Sequence, residues 1–304
     1  MRASLLLLAV LLTACPSDPV GEDPTPEDPI GEDPPPLYVV SMMHAEESIS
    51  HHQNETIYRD FADALEQQRS LFGAHGAKLD FGPDWTFIEG VRTWDPTQLE
   101  DHVAAGQGLH THAHETQFDL ANVHMRLAQA GAGDNLIANG GFLQEGPGGT
   151  NWIGYVEDFD LPGGAPMFTT AIGYKNPQTQ IPDTTGTCFR PSAEGEWTEH
   201  DPDGRLLYLG SNSPDEAGAG ALDFDTFRDW LDARIAGVDP DALLNTAYWH
   251  DSLHKYGDPT EAADRRARWE QEFEEYLDPL VADGTIVWAT FEEMTAACLA
   301  AEAR

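Results

Sequence analysis

Residues 37–43 have the sequence Leu-Tyr-Val-Val-Ser-Met-Met. This apolar run contains β-branched valines and directly follows a group of prolines, so it predicts a buried first strand. From this strand onward, helical and strand-like patterns alternate along the chain. Helices are predicted over 56–73, 95–105, 118–130, 224–236, 260–282 and from 290, and strands over 78–81, 108–114, 167–173, 205–210, 243–249 and 285–290. The alternation is typical of an α/β fold with parallel strands, and residues 37–304 are enough for a single barrel-sized domain.

Local signals mark the ends of some of these elements. Pro96 is expected at the first position of its helix, where its missing N–H costs nothing. Pro279 is expected to kink the last turn of the long helix. Thr290-Phe-Glu-Glu293 has the spacing of a capping box and predicts the start of the last helix.

The middle of the chain, from 135 to 223, has weaker patterns. Gly and Pro are dense there, as in Gly146-Pro-Gly-Gly149, and strands are only suggested. Loops and hairpins inserted around the barrel or sheet are therefore expected in this part.

The N-terminus has the pattern of an exported bacterial lipoprotein. A basic Arg2 precedes the apolar run 5–12, which is too short to span a bilayer and predicts a secretory signal peptide over 1–14. Leu-Thr-Ala-Cys at 12–15 resembles a bacterial lipobox, so Cys15 is expected to carry a lipid that anchors the protein to the cell envelope. The alternative is an ordinary signal peptide followed by an unrelated cysteine.

Residues 16–36 form a proline-rich acidic segment in which Glu-Asp-Pro recurs every five residues. Proline blocks helix formation and the carboxylates repel one another, so we expect an extended stalk. In polyproline II geometry it would span about 65 Å. A binding motif for a proline-recognising partner is the alternative.

The chain is strongly acidic, with 53 acidic and 16 basic residues and a formal charge of −37. Such a charge excludes nucleic acid and an anionic membrane surface as docking partners. The stalk does not explain it, because residues 37–304 keep 46 acidic and 15 basic residues, or about −31. A neutral or amine-bearing substrate suits this surface better than a polyanion. Nothing in the sequence indicates an oligomeric state.

Two cysteines remain beyond Cys15, namely Cys188 and Cys298. In an oxidising compartment they could form one disulfide or stay as buried thiols, and both alternatives are open.

Histidines are concentrated in one part of the chain, where eight of the twelve lie between 44 and 114. The sharpest group is His110-Thr-His112-Ala-His114 at the end of a predicted strand. In an extended segment all three side chains share one face, and in a turn the i,i+4 pair can converge on one ion. A metal-binding cluster is therefore expected, with a surface histidine cluster as the alternative.

Other candidate residues lie at strand ends. His44 is followed by Glu46 and Glu47, and two adjacent carboxylates can divide metal binding from proton transfer. Arg190, in Phe-Arg-Pro, offers a fixed cation that could orient a carboxylate. His250 and His254 follow the predicted strand over 243–249, where an imidazole could protonate a leaving group. Each of these also has a structural alternative: a solvated glutamate pair, a surface arginine, or histidines that cap or pack.

Taken in order, the strand-end glutamate pair, His110-x-x-x-His114, Phe189-Arg190-Pro191 and a late strand-end histidine resemble the motifs of the polysaccharide deacetylase family (NodB-type, carbohydrate esterase 4-like). The resemblance extends over residues 38–294, because the closing strand and helix also match. It implies a distorted (β/α)7 barrel, a divalent metal bound by a carboxylate and two histidines, and hydrolysis of N-acetyl groups on sugars.

By position, the resemblance implies that Glu46 is the general base and Glu47 a metal ligand. It likewise implies His110 and His114 as the histidine ligands, Arg190 as the residue that orients the base, and His250 or His254 as the general acid. The family pattern begins with two aspartates and a glycine, whereas this chain has two glutamates and Ser48. His44 could therefore replace one glutamate as a ligand, and His112 is a further candidate.

The resulting hypothesis is a lipid-anchored hydrolase that uses a divalent metal, zinc in particular, to deacylate an amino-sugar glycan or related envelope substrate. A surface lipoprotein of the same fold that binds glycan or metal without turnover is the main alternative. Amidohydrolases and metallo-β-lactamase-like proteins also use His-x-His, but they place it elsewhere or follow it with Asp-His, whereas this chain has Glu115-Thr116.

Overall fold

A computed structural model describes residues 34–45, 51–113, 119–133, 135–140, 152–173, 185–192, 197–211 and 223–304. All of these residues belong to one compact unit, Pro34–Arg304. The predicted signal peptide, Cys15 with its predicted lipid anchor and most of the predicted stalk lie outside the described residues. So do three of the candidate site residues, namely Glu46, Glu47 and His114.

Ten short strands build the described part of the sheet. They are β1 (Leu37–His44), β2 (Leu79–Gly82), β3 (Gly108–Leu109), β4 (Thr111–His112), β5 (Ile137–Asn139), β6 (Thr170–Ile172), β7 (Cys188–Phe189), β8 (Leu207–Leu209), β9 (Asn245–Ser252) and β10 (Ile286–Trp288).

The strands form a curled, almost entirely parallel sheet. β1 pairs along its whole length with β9 and, on its other side, with β10 at its start and β2 at its end. β2 pairs with β3, which completes the first five-stranded part of the sheet. The chain then passes through His110 into a second five-stranded part, in the order β4, β5, β6, β8 and β7. β7 is antiparallel to β8, and the Thr187–Asn245 bridge brings it to the start of β9. This confirms the expected single-domain, distorted (β/α) barrel fold.

Helices connect the parallel strands. They are α1 (Glu55–Ala74), α2 (Trp85–Trp94), α3 (Gln98–Ala104), α4 (Leu120–Gln129), α5 (Trp152–Glu157), α6 (Phe224–Ala236), α7 (Pro259–Glu272), α8 (Asp278–Ala282) and α9 (Phe291–Glu302). Short 3-10 turns lie at His51–Gln53 and Leu253–Tyr256. No helix in this described part is both long and apolar enough to cross a membrane.

The structure corrects some of the predicted elements. α2 was not predicted, and α3 begins at Gln98 rather than at Pro96, because Thr97 occupies the position before its first turn. The middle of the chain contains β5 and α5, which the sequence patterns did not indicate. A π-helical turn, Phe273–Leu277, joins α7 to α8 just before Pro279.

The core fills the space between the sheet and the helices. Trp152, Trp249 and Trp269 are among its largest fully buried side chains. A disulfide joins Cys188 to Cys298 across 110 residues, and it ties β7 to the last helix. Of the two alternatives that the sequence left open for these cysteines, the structure therefore has the disulfide.

Candidate metal centre

Three buried histidines converge at the carboxyl ends of neighbouring strands. His44 ends β1, His110 lies between β3 and β4, and His112 ends β4. One ring nitrogen from each histidine lies within 4.8 Å of the corresponding nitrogens of the other two. The Nε2 atoms of His44 and His110 are 2.9 Å apart, and the rings of His44 and His112 are stacked with centroids 3.6 Å apart.

A glycine on the intervening strand makes this convergence possible. β2 lies between β1 and β3, and its last residue, Gly82, is paired in register with His44. A Cβ atom on Gly82 would lie 2.8 Å from Cδ2 of His44 and 2.9 Å from Cδ2 of His110. Real Cβ atoms do not come this close to other heavy atoms, so any larger residue would push the two rings apart.

The Nδ1 atom of His110 faces a buried carboxylate. It lies 2.9 Å from Oδ1 of Asp80, and both side chains are fully buried. A carboxylate oxygen can only accept a hydrogen bond, so Nδ1 of the neutral ring carries the proton. The Nε2 atom of His110 is then left with its lone pair toward His44.

His112 has a comparable but uncharged partner. Its Nδ1 atom lies 2.7 Å from Oδ1 of Asn139, the residue paired with it in register on β5. The Asn139 amide nitrogen donates to the carbonyl oxygen of Ile172 at 3.0 Å, which orients the amide oxygen toward the ring. The Nδ1 atom of neutral His112 is therefore also the protonated one.

This donor set fits a divalent transition metal. Two lone pairs 2.9 Å apart would repel each other, so a proton or a cation must lie between His44 and His110. Nitrogens bound to one tetrahedral zinc ion at about 2.0–2.1 Å lie about 3.3 Å apart, close to the 2.9 Å between the Nε2 atoms of His44 and His110. Metal-bound histidines typically donate their other N–H to a carboxylate or carbonyl oxygen, as His110 and His112 do. Imidazole nitrogen suits zinc, copper, iron and nickel better than magnesium or calcium.

The two late histidines occupy different surroundings. The buried ring of His250, on β9, lies 4.5 Å from the ring of His44 between centroids. His254 lies in the 3-10 turn that follows β9, where its ring contacts Phe61 at 5.7 Å. Between the two histidines named from the sequence, His250 is therefore the one in contact with the cluster.

His254 instead affects the pKa of another buried histidine, His51. The pKa of His51 is lowered from 6.5 to about 4, mainly by burial and in addition by the nearby charges of His254 and His52. The ring of His51 packs edge-on against Phe61 and Phe87. His51 is therefore neutral near pH 7.

Arg190 makes contacts with the last helix. Its Nε and Nη2 atoms donate to the two carboxylate oxygens of Glu302 at 2.6 and 2.8 Å, and Nη1 donates to the carbonyl oxygen of Gly204. Its predicted role of orienting Glu46 stays a prediction, because Glu46 lies outside the described residues. The same holds for Glu47 and His114.

The sequence patterns did not indicate a functional role for Asp80, Asn139 or Gly82. One signal was present for Asp80, since a lone carboxylate interrupts the apolar strand Leu79-Asp80-Phe81. No comparable signal marked Asn139 or Gly82, whose importance depends on the strands that lie beside them.

Known proteins resemble this chain in their fold and not in their sequence. No protein-family model matches the chain, and no curated protein matches its sequence. Among solved structures, the 4-alpha-glucanotransferase from Thermococcus litoralis is similar with a TM-score of 0.53 and 12% identity. The match covers 86% of this chain but only 40% of that enzyme's chain.

Two further structures match over nearly their whole length. A probable polysaccharide deacetylase from Pseudomonas aeruginosa PAO1 has a TM-score of 0.52 and 12% identity, with 90% of this chain and 97% of that chain covered. Puue allantoinase has a TM-score of 0.50 and 12% identity, with 91% and 98% covered. At this identity the likeness shows a shared fold and leaves the activity to be argued from the site.

Proposed function

We propose that the protein is a metal-dependent hydrolase that removes acyl groups, acetyl groups above all, from an amino-sugar glycan or a related envelope substrate. The observation that carries this proposal is the convergence of buried His44, His110 and His112 at the carboxyl ends of parallel strands. Enzymes of barrel architecture have their active sites at this end of the sheet. A deacetylase among the proteins of similar fold supports the same assignment.

We propose zinc as the metal, held by His44, His110 and His112. A zinc ion bound there would supply a Lewis acid that polarises a carbonyl group and lowers the pKa of water. The protein's own contribution is to hold three imidazole nitrogens close together in a buried site, with Asp80 and Asn139 setting the protonation of two rings. Glu47 and His114 remain proposed as further ligands on the strength of the sequence pattern.

We propose proton-transfer roles for His250 and Glu46. We place the general acid at His250, because its ring contacts His44, and a histidine in that position can protonate a departing amine. Glu46 is proposed as the general base, two residues after His44. The acidic surface favours a neutral or amine-bearing glycan as the substrate.

Elemental analysis of the purified protein tests the metal site. The wild type should contain close to one zinc per chain, and His110→Ala and His112→Ala should lose most of it. His200→Ala is the matched control, because the His200 side chain is exposed and its Nδ1 atom accepts a hydrogen bond from the backbone of Arg190. Unchanged metal content in both cluster variants would contradict the proposed site.

A second candidate function is metal or glycan binding without turnover. The group of converging ligands in the described part of the chain contains three histidines and no carboxylate, unlike the carboxylate and two histidines that the resemblance implies. Acetate release from chitooligosaccharides or peptidoglycan fragments with added zinc separates the candidates. Binding without acetate release would favour the binding protein.

We further propose that the protein is exported and anchored to the bacterial envelope through a lipid on Cys15, with residues 16–36 as a spacer. The lipobox-like Leu-Thr-Ala-Cys at 12–15 supports this proposal. The wild type should then fractionate with membranes and Cys15→Ser should not. Equal fractionation of the two proteins would contradict the anchor.

A further inference from the structure

Asp80 is a buried carboxylate in an apolar strand. Its exposed fraction is 0%, and the neighbouring residues of β2, Leu79 and Phe81, are buried as well. Burying an ionised carboxylate is costly unless hydrogen bonds compensate for the lost water. An apolar side chain would be less costly at this position if packing were the only requirement.

The two carboxylate oxygens of Asp80 face two different parts of the fold. Oδ1 accepts a hydrogen bond from Nδ1 of His110 at 2.9 Å. Oδ2 accepts one from the backbone N–H of Phe291 at 2.9 Å. Phe291 is the first residue of α9, and an N–H in that position has no acceptor within its own helix. The positive end of the helix dipole also favours a carboxylate there.

The absence of a side chain at Gly108 leaves room for the Asp80 carboxylate. Gly108 on β3 is paired in register with Asp80, and a Cβ atom on Gly108 would overlap the carboxylate and come within 3.0 Å of Cβ of Thr290. Thr290 in turn is fixed by the capping box of α9. The carboxylate is therefore confined between the ring of His110 and the start of the last helix.

We propose that Asp80 is a positioning residue for the metal centre: it fixes His110 in the tautomer whose Nε2 atom can bind a metal, and it ties that ring to the N-terminus of α9. This inference rests on the proposed function, because it takes His110 as a metal ligand. His110 then differs from His112 in its hydrogen-bond partner, which is a carboxylate rather than an amide. A carboxylate partner raises the basicity of the imidazole, so His110 should bind the metal more strongly than His112. Through Asp80, the N-terminus of α9 helps to hold His110 in place, although Phe291 follows His110 by 181 residues in the sequence.

Replacing Asp80 by asparagine tests the proposal, because the amide has only one oxygen for two donors. If that oxygen accepts from Phe291, the amide nitrogen faces Nδ1 of His110 and the ring must move its proton to Nε2. If the oxygen accepts from His110, two N–H donors oppose each other at Phe291. Zinc affinity of Asp80→Asn, measured by competition with a chromogenic chelator, should fall about 10- to 100-fold, the usual effect of losing such a partner.

Glu272→Gln is the matched control. Glu272 is also a buried carboxylate, but it accepts from Arg228 on a different helix. Both variants should be less stable than the wild type, and only Asp80→Asn should bind zinc more weakly in its folded state. Equal zinc affinity of Asp80→Asn and the wild type would overturn the role of Asp80. A wild type that binds no zinc would overturn the proposed function instead.

Nitrogen-15 NMR of the histidine rings gives a second readout that needs neither metal nor a stable variant. In the metal-free wild type at a pH where the histidines are neutral, His110 should be protonated at Nδ1. In Asp80→Asn the proton should move to Nε2 in a large fraction of molecules. A wild-type His110 protonated at Nε2 would overturn the proposal even if Asp80→Asn does not fold.

Discussion

Buried neutral histidines make this protein sensitive to acid. Burial lowers the pKa of His102 from 6.5 to about 4, against the opposing effects of the Asp80 charge and of the hydrogen bond to the carbonyl oxygen of Gly108. His51 has a similarly lowered pKa. Both rings are uncharged in the folded protein near neutral pH and take up protons more readily when the chain unfolds.

The direction of the pH dependence follows from these lowered values. Above pH 6.5 both histidines are neutral whether the chain is folded or unfolded, so neither changes the stability. Between pH 6.5 and 4 the unfolded chain binds protons that the folded chain does not, so stability decreases as the pH falls. Each histidine contributes up to about 1.4 kcal/mol per pH unit over this range, and its effect levels off below about pH 4.

We therefore expect His102→Gln to weaken the acid sensitivity. The loss of unfolding free energy between pH 7 and pH 4.5 should be smaller than in the wild type by about 2 kcal/mol, because one proton-binding group has been removed from the unfolded chain. Urea unfolding at the two pH values measures the difference. An unchanged loss would show that His102 does not contribute.

At the scale of secondary-structure elements, the ends of two helices were predicted correctly. α6 was predicted at its observed bounds, and the capping box of α9 is present, with the side chain of Thr290 accepting from the backbone N–H of Glu293. α2 was not predicted, and Thr86, Phe87, Ile88, Gly90 and Val91 of this helix are buried. Its Gly90 packs against the ring of Tyr58, a tertiary contact that outweighs the low helix propensity of glycine.

α7, the π-helical turn and α8 together form one long helix, and a single proline changes its geometry. Pro279 has no N–H to donate within the helix, and the chain widens into the π-helical turn Phe273–Leu277 just before it. Such a turn accommodates a proline without ending the helix. Trp269, Phe273 and Leu277 are fully buried.

The capping box of α9 allows a test at this scale. Thr290→Ala removes the hydrogen bond to Glu293 and should lower the free energy of unfolding by about 1 kcal/mol. Thr97→Ala is the matched control, because Thr97 precedes α3 without capping it and should change the stability by less than about 0.5 kcal/mol. Equal effects of the two variants in urea unfolding would contradict the role of the cap.

At the scale of the whole molecule, several contacts hold the last helix to the sheet. Asp80 accepts from its first N–H, Cys298 forms the disulfide with Cys188, and Glu302 pairs with Arg190. These contacts join residues that are between 110 and 211 positions apart. They link the end of the chain to both parts of the curled sheet.

Removing the disulfide should destabilise the whole domain. The bridge closes a loop of about 110 residues, and losing a bridge of this kind costs on the order of 2–5 kcal/mol because the unfolded chain gains freedom. We expect a Cys188→Ser, Cys298→Ser double variant to lose this amount in urea unfolding. Reductant should lower the wild type to the same stability and leave the double variant unchanged, and a reductant-insensitive wild type would contradict the contribution.

The amino-acid sequence by itself determined most of the alternation of strands and helices, the capping box of α9 and the concentration of histidines at strand ends. These features depend on residues within a few positions of one another, where hydrophobic period and local hydrogen bonding are decisive. Which side chains meet was decided only by the tertiary structure. His44 reaches His110 because β2 lies between their strands and ends in glycine, and His250 contacts His44 because β9 lies beside β1. Neighbouring strands and their register are set by packing across the whole domain, so no local pattern in the chain reveals them.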